Sequence, residues 1–222
     1  MKKFLTLLLA AGMVLGLGAA EGWAQSEVYP AQLALFNPIQ VFPEDTSISG
    51  LRINLIYGAN ENITGLDLGL ANMIKGDLKG VSYGLVVYTE GNVTGEQAAF
   101  VNVVLGNVTG GAGGLVNYVE GSVTGAAMGG INVVQGDVAG GAAGFINYVN
   151  GNLGGLQYGA VNIATKAEGL QMGLLNYTQE MNGFQFGFLN WTEKLQGLQI
   201  GLLNIASEKE MLPVLPIVNA AW

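Results

Sequence analysis

Glycine returns along this chain at a fixed interval. Gly50, Gly65, Gly80, Gly95, Gly110, Gly125, Gly140 and Gly155 stand 15 residues apart, and Gly169, Gly183 and Gly197 follow at intervals of 14. Numbering each unit from the residue after its marker gives eleven units over residues 51 to about 211. Position four is glycine in nine of them and position seven is asparagine in nine. The asparagines are Asn72, Asn102, Asn117, Asn132, Asn147, Asn162, Asn176, Asn190 and Asn204. Positions five and six are mostly aliphatic or Phe, and position thirteen of the 15-residue units is Val, Leu or Ile. A short, strict period requires near-identical supersecondary units, stacked or laid side by side.

The units are not helical. Each glycine inside a helix would cost roughly 1 kcal/mol, and every unit carries several. The enriched Val, Ile, Leu, Tyr and Phe suit strands. The chain therefore reads as all-β. The favoured architecture is a repeat β-solenoid of about eleven 14–15-residue coils with proline-containing end caps. Coils about 4.8 Å apart would make a rod of roughly 50 Å. Equal positions would stack: asparagines into an amide ladder, Val93, Val108, Val123 and Val138 into an inner aliphatic column, and the marker glycines at corners that need permissive φ. Each coil would be thin, with six or seven inward side chains.

The alternative is an antiparallel outer-membrane β-barrel. Gly76-Asp77, Gly91-Asn92, Gly106-Asn107, Gly121-Ser122, Gly136-Asp137 and Gly151-Asn152 resemble two-residue hairpin turns. A period of 30 overlies the period of 15: Tyr88, Val103, Tyr118, Val133, Tyr148 and Ile163 alternate at position eight. Side-chain direction disfavours the barrel. As a straight strand, one face would carry Asn in nearly every repeat and the other Gln and Gly. A lipid-facing band must be apolar throughout.

The ends differ from the repeats. Residues 1–24 read as a bacterial signal peptide: basic Lys2 and Lys3, an apolar stretch from Phe4 to Ala20, and small Gly22 and Ala24 before cleavage. Residues 25–49 read as an N-terminal cap, 50–211 as the repeat β domain and 212–222 as a C-terminal cap. Proline at 30, 38, 43, 213 and 216 suits an edge, because it offers no donor to a further strand.

Composition narrows the function. There is no histidine and no cysteine among the 222 residues, which removes the commonest general bases, thiol nucleophiles and transition-metal ligands. The net charge of −8 argues against nucleic acid. Acids are scattered rather than convergent, so no catalytic residue, cofactor-binding residue or metal site is assigned, and no cofactor is expected. A turn column of Asp77, Asn92, Asn107, Asp137 and Asn152 lacks the Gly-Gly-x-Gly-x-Asp calcium repeat. Thr64, Thr94, Thr109 and Thr124 form a single column broken at Lys79 and Ala139. Tyr88, Tyr118, Tyr148, Tyr177 and Trp191 share one column. Facing out, it would be an aromatic stripe for a glycan, lipid or protein; it reads here as core.

The segments Gly-Leu-Gln-x-Gly-x-x-Asn at 155–162, 169–176, 183–190 and 197–204 carry a resemblance. So do the opening Leu35-Phe36-Asn37-Pro38-Ile39-Gln40-Val41-Phe42-Pro43-Glu44-Asp45 and the close Leu212-Pro213-Val214-Leu215-Pro216. Together they resemble the uncharacterised bacterial surface-repeat proteins built from G-x-Q-x-G-x-x-N units. The resemblance covers nearly the whole chain after the leader. It implies export and a place at the surface, and it brings no activity or ligand. The units from 96 to 155 depart from it by starting with Ala, Gly or Glu in place of Leu-Gln.

The expectation is thus an exported, non-enzymatic envelope or surface protein with a structural or adhesive role, the alternative being a barrel acting as pore or anchor. The expected location is the cell surface or outer membrane, with the periplasm as a further compartment. Candidate partners are the outer membrane, a surface glycan or another envelope protein.

Overall fold

The structure is a computed structural model describing residues 27–222. The leader read over residues 1–24 lies outside the described residues. Twelve strands run in chain order among them: β1 (Val28–Phe36), β2 (Ile39–Gln40), β3 (Ser47–Asn60), β4 (Ile63–Ile74), β5 (Leu78–Thr89), β6 (Val93–Val104), β7 (Val108–Val119), β8 (Val123–Val134), β9 (Val138–Tyr158), β10 (Val161–Met172), β11 (Leu175–Ala206) and β12 (Val214–Ala221). They form one sheet in the order β12-β11-β10-β9-β8-β7-β6-β5-β4-β3-β1-β2.

The short β2 pairs antiparallel with β1, and pairing is parallel from β1 to β3 and on through β11. Residue i lies beside i+15 in β6 and β7, as Gly95 beside Gly110 and Asn102 beside Asn117. The offset falls to 14 between β10 and β11, as Asn162 beside Asn176. The molecule is a β-solenoid of about eleven turns and not a barrel. The Gly-Asn and Gly-Asp pairs that resemble hairpins are corners of parallel coils. Their physical support is a second ladder: the backbone N–H of Asn92 donates to Asp77 Oδ1 at 2.8 Å, and that of Asn107 to Asn92 Oδ1 at 2.9 Å. In the 14-residue coils the glycine of this corner is absent.

Within a coil the strand runs from position thirteen of one unit to position nine of the next. Side chains alternate inward at two and four and outward at three and five. The phase then resets, because five and six both face out and seven and nine face in. A bend between five and six thus replaces the straight strand on which the two-face comparison rested. In the regular coils four columns of side chains are buried: positions two, seven, nine and thirteen. That is fewer than the six or seven expected. Glycine fills the other inward places, bringing the backbones of successive coils close together. At position four of Gly129, an added Cβ would lie 2.0 Å from the carbonyl oxygen of Gly114.

The core has two halves. Positions nine and thirteen make the aliphatic half, including Val93, Val104, Val108, Val119, Val123, Val134, Val138 and Val149, with Thr89, Thr178 and Thr192 standing in at position nine. Positions two and seven make the other half, and it is largely polar. Burying an amide is costly unless it is hydrogen-bonded. The parallel register meets that cost, because each amide finds its copy in the next coil.

The ends stop the stacking differently. At the N-terminal end, Tyr29 and Phe42 stack at 3.7 Å and pack on the aliphatic column. Gln32 holds this cap through both its amide atoms, bonded to the carbonyl and N–H of Phe42 at 2.8 and 3.0 Å. At the C-terminal end, β12 pairs antiparallel with the last coil. Lys209 Nζ closes the end of the core by donating to Asn219 Oδ1 at 2.7 Å and the Ala220 carbonyl at 2.8 Å.

Candidate functional site

The nine asparagines of position seven are all buried, at 0 to 2% exposure. From Asn102 onward, each Nδ2 donates to the Oδ1 of the next, through 117, 132, 147, 162, 176, 190 and 204, at 2.7–2.9 Å. The same nitrogen also reaches a backbone carbonyl of the following coil, for example Tyr158 O from Asn147 at 2.9 Å. Val87 interrupts the column, which leaves Asn102 Oδ1 without a donor. Asn72 stands apart, receiving Asn54 Nδ2 and donating to Ser82 Oγ and Tyr83 O. Such amides cannot read a sugar, because none faces solvent.

Replacing Asn147 by leucine would orphan Asn162 Oδ1 and take one partner each from Tyr158 O and Asn132 Nδ2, at about 1–3 kcal/mol for the orphaned group. We expect the Asn147→Leu chain to lose about 3 kcal/mol of stability by urea denaturation. An unchanged midpoint would show that the ladder contributes nothing.

A second inner ladder went unread in the sequence. Gln171, Gln185 and Gln199 each donate Nε2 to the Oε1 of the preceding glutamine, beginning at Gln157, at 2.7 Å. It runs opposite in sense to the asparagine ladder. In the thin units the same column is Ala112, Ala127 and Ala142. At the N-terminal end it becomes Arg52, Asp67 and Ser82. The Gly-Leu-Gln motif contained the signal, but only the closed coil shows that its glutamine points inward.

The outer surface divides sharply. Positions ten to fourteen carry the outward charges of the repeats, among them Lys75, Asp77, Glu120, Lys166, Glu180 and Lys194, with Glu96 as the exception at position one. Lys166 pairs with Glu168 at 2.7 Å and Lys194 with Glu180 at 3.2 Å. Among the described residues, no three acidic side chains cluster closely enough to hold a metal ion. Positions one, three, five, six and eight are otherwise apolar or glycine along the rod. Position five projects furthest: Leu85, Phe100, Phe145 and Phe188 are 55, 62, 68 and 59% exposed.

The aromatic column belongs to this outer surface and not to the core. Tyr88, Tyr118, Tyr148 and Tyr177 are half-buried and Trp191 is exposed. The reason is again the bend: with seven and nine turned in, eight must turn out. Tyr177 and Trp191 meet edge to face at 5.7 Å. Burial pushes the Tyr177 phenol above its ordinary value, and its 3.2 Å hydrogen bond to Glu193 adds to the rise. A groove of about 430 Å³ lies here, lined by Val161, Ile163, Leu175, Tyr177, Leu189 and Trp191. On the adjoining face, the small residues of the middle units leave a depression of about 510 Å³ over Gly111, Gly113, Ala126 and Met128.

The arrangement can therefore bind by apolar contact repeated along a line. Comparison with protein-family models, with curated proteins and with solved structures finds no match for this chain.

Proposed function

We propose that this protein is an exported, non-enzymatic repeat scaffold of the bacterial envelope, with a structural or adhesive role. The observation that supports this reading most is the apolar exterior over positions one to eight, interrupted at Glu96, set against a charged strip at ten to fourteen. A soluble protein rarely leaves so large an apolar surface without a partner. Because each coil repeats the same contacts, modest affinity per coil adds up by multivalency. An apolar partner, protein or membrane, fits these columns better than a glycan does, because the polar amides point inward. The barrel pore falls with the barrel.

Export is the testable half. Expressed in a bacterial host, the full chain should be recovered from the envelope fraction beginning at Gln25 and be open to protease added to intact cells. Removing residues 2–24 should leave it in the cytosol. Recovery of the full-length chain from the cytosol would overturn the reading.

A further inference from the structure

One outer face is built to meet its own copy. We propose that the face carrying positions six and eight pairs with a second copy of this chain, the two rods antiparallel, about a two-fold axis passing between the coils of Tyr118 and Val133.

The argument starts from alternation. Along position eight, Tyr88, Tyr118 and Tyr148 project at every second coil, about 9.6 Å apart, and Val103, Val133 and Ile163 leave hollows between them. The strands beneath stay in register without slip from β5 to β9, so knobs and hollows form a straight row. A two-fold axis lying between coils sets each knob over a hollow. About the axis named, Tyr118 meets Val133, Tyr148 meets Val103, Tyr88 meets Ile163 and Tyr177 meets Met73. An axis through a coil would instead set Tyr118 on Tyr118. Moving the axis toward Trp191 sets Tyr88 on Trp191, so the chosen axis gives the longest uninterrupted match.

Charge at the border obeys the same parity. Position ten reads Lys75, Glu90, Leu105, Glu120, Gln135, Asn150, Thr165 and Gln179. About the same axis Glu120 faces Gln135, Glu90 faces Thr165 and Lys75 faces Gln179. No like charges meet, whereas an axis through the Tyr118 coil would set Glu120 against Glu120. Position ten thus admits the geometry that position eight favours.

The size is sufficient. Eight coils at about 4.8 Å by five residues at about 3.3 Å cover roughly 600 Å² per copy, or ~1,200 Å² in all, the lower bound of specific interfaces. The proposal goes beyond the scaffold reading, since dimerisation can fail while export and surface display stand.

Sedimentation velocity on the purified protein tests it. The wild type should sediment as a dimer. Val133→Tyr, outward-facing and so without effect on circular dichroism, sets tyrosine against tyrosine twice and should weaken the dimer by at least roughly 100-fold. Exchanging knob and hollow in the Tyr118→Val, Val133→Tyr double variant should restore it. Because the chain has no cysteine, an equimolar mixture of the single variants Glu120→Cys and Gln135→Cys should form a mixed disulfide between copies under mild oxidation; keeping the two cysteines on separate chains prevents a bond between neighbouring coils of one copy. A monomer at all concentrations, a dimer indifferent to Val133→Tyr, or association only with phosphatidylcholine vesicles would each overturn the proposal.

Discussion

Replacing Asp67 by alanine is expected to cost about 3–5 kcal/mol, because it strands a buried cation. Arg52 and Asp67 are both wholly buried and meet through two parallel bonds, Nε to Oδ1 at 2.7 Å and Nη2 to Oδ2 at 2.8 Å. Ser82 Oγ and Asn54 Nδ2 complete the carboxylate at 2.7 and 3.2 Å. Arg52 Nη1 then has Met73 O at 2.9 Å. Arg52 is wholly buried, so loss of the carboxylate leaves its charge unpaired in the interior. A repeat protein unfolds in sections, so the loss should appear first as faster hydrogen exchange in β3 to β5. The paired change Arg52→Met with Asp67→Leu removes both charges and should stay within about 1 kcal/mol of wild type or exceed it. Equal damage from the single and the paired variants would mean that the pair acts through shape and not through charge.

Adding one methyl group at Gly125 should be comparably damaging. Its φ is +129°, a conformation that side chains of L-residues rarely adopt. An added Cβ would lie 2.1 Å from the carbonyl oxygen of Gly110 in the coil below. Backbone strain of about 1–3 kcal/mol adds to overpacking of about 1–3 kcal/mol. We expect Gly125→Ala to lower stability by about 4 kcal/mol, read as a drop in thermal midpoint. Gly113→Ala supplies the contrast. There the added Cβ would have its nearest neighbour at 4.0 Å, the Cβ of Ala98, and the change should be near neutral. Similar losses at both sites would show that glycine is tuned here by chain entropy and not by coil spacing.

These two positions also show what could be read early. The marker glycines were legible as positions of permissive φ, because only a backbone requirement repeats a residue without a side chain at every fifteenth place; they sit inside the strands and not at the corners expected. All eleven do adopt positive φ, from +121° to +146°. The inner column of Val93, Val108, Val123 and Val138 was legible for the same reason, as was the stacking of Asn102 through Asn204. Arg52 and Asp67 were not legible as a pair. They occupy position two of neighbouring units, but their contact depends on parallel stacking, and a charged residue at a repeat position ordinarily reads as solvated.

The aromatic column marks the same boundary from the other side. Tyr88, Tyr118, Tyr148, Tyr177 and Trp191 read as core, since large apolar side chains in a periodic strand usually are. The bend between positions five and six reversed that assignment, and it lets Gln157, Gln171, Gln185 and Gln199, which alternate onto the face of position thirteen, share the interior with the asparagines beyond it. Period, strand state and coil count follow from local chemistry: glycine where the backbone has no room, β-branched and aromatic residues where a pleated surface needs filling. Which residues face in is different. Alternation along a strand has a period of two, so one bend inverts the phase of everything after it. Only the closed coil decides where that bend falls, because only there do the copies above and below show which amides can be buried in partnership.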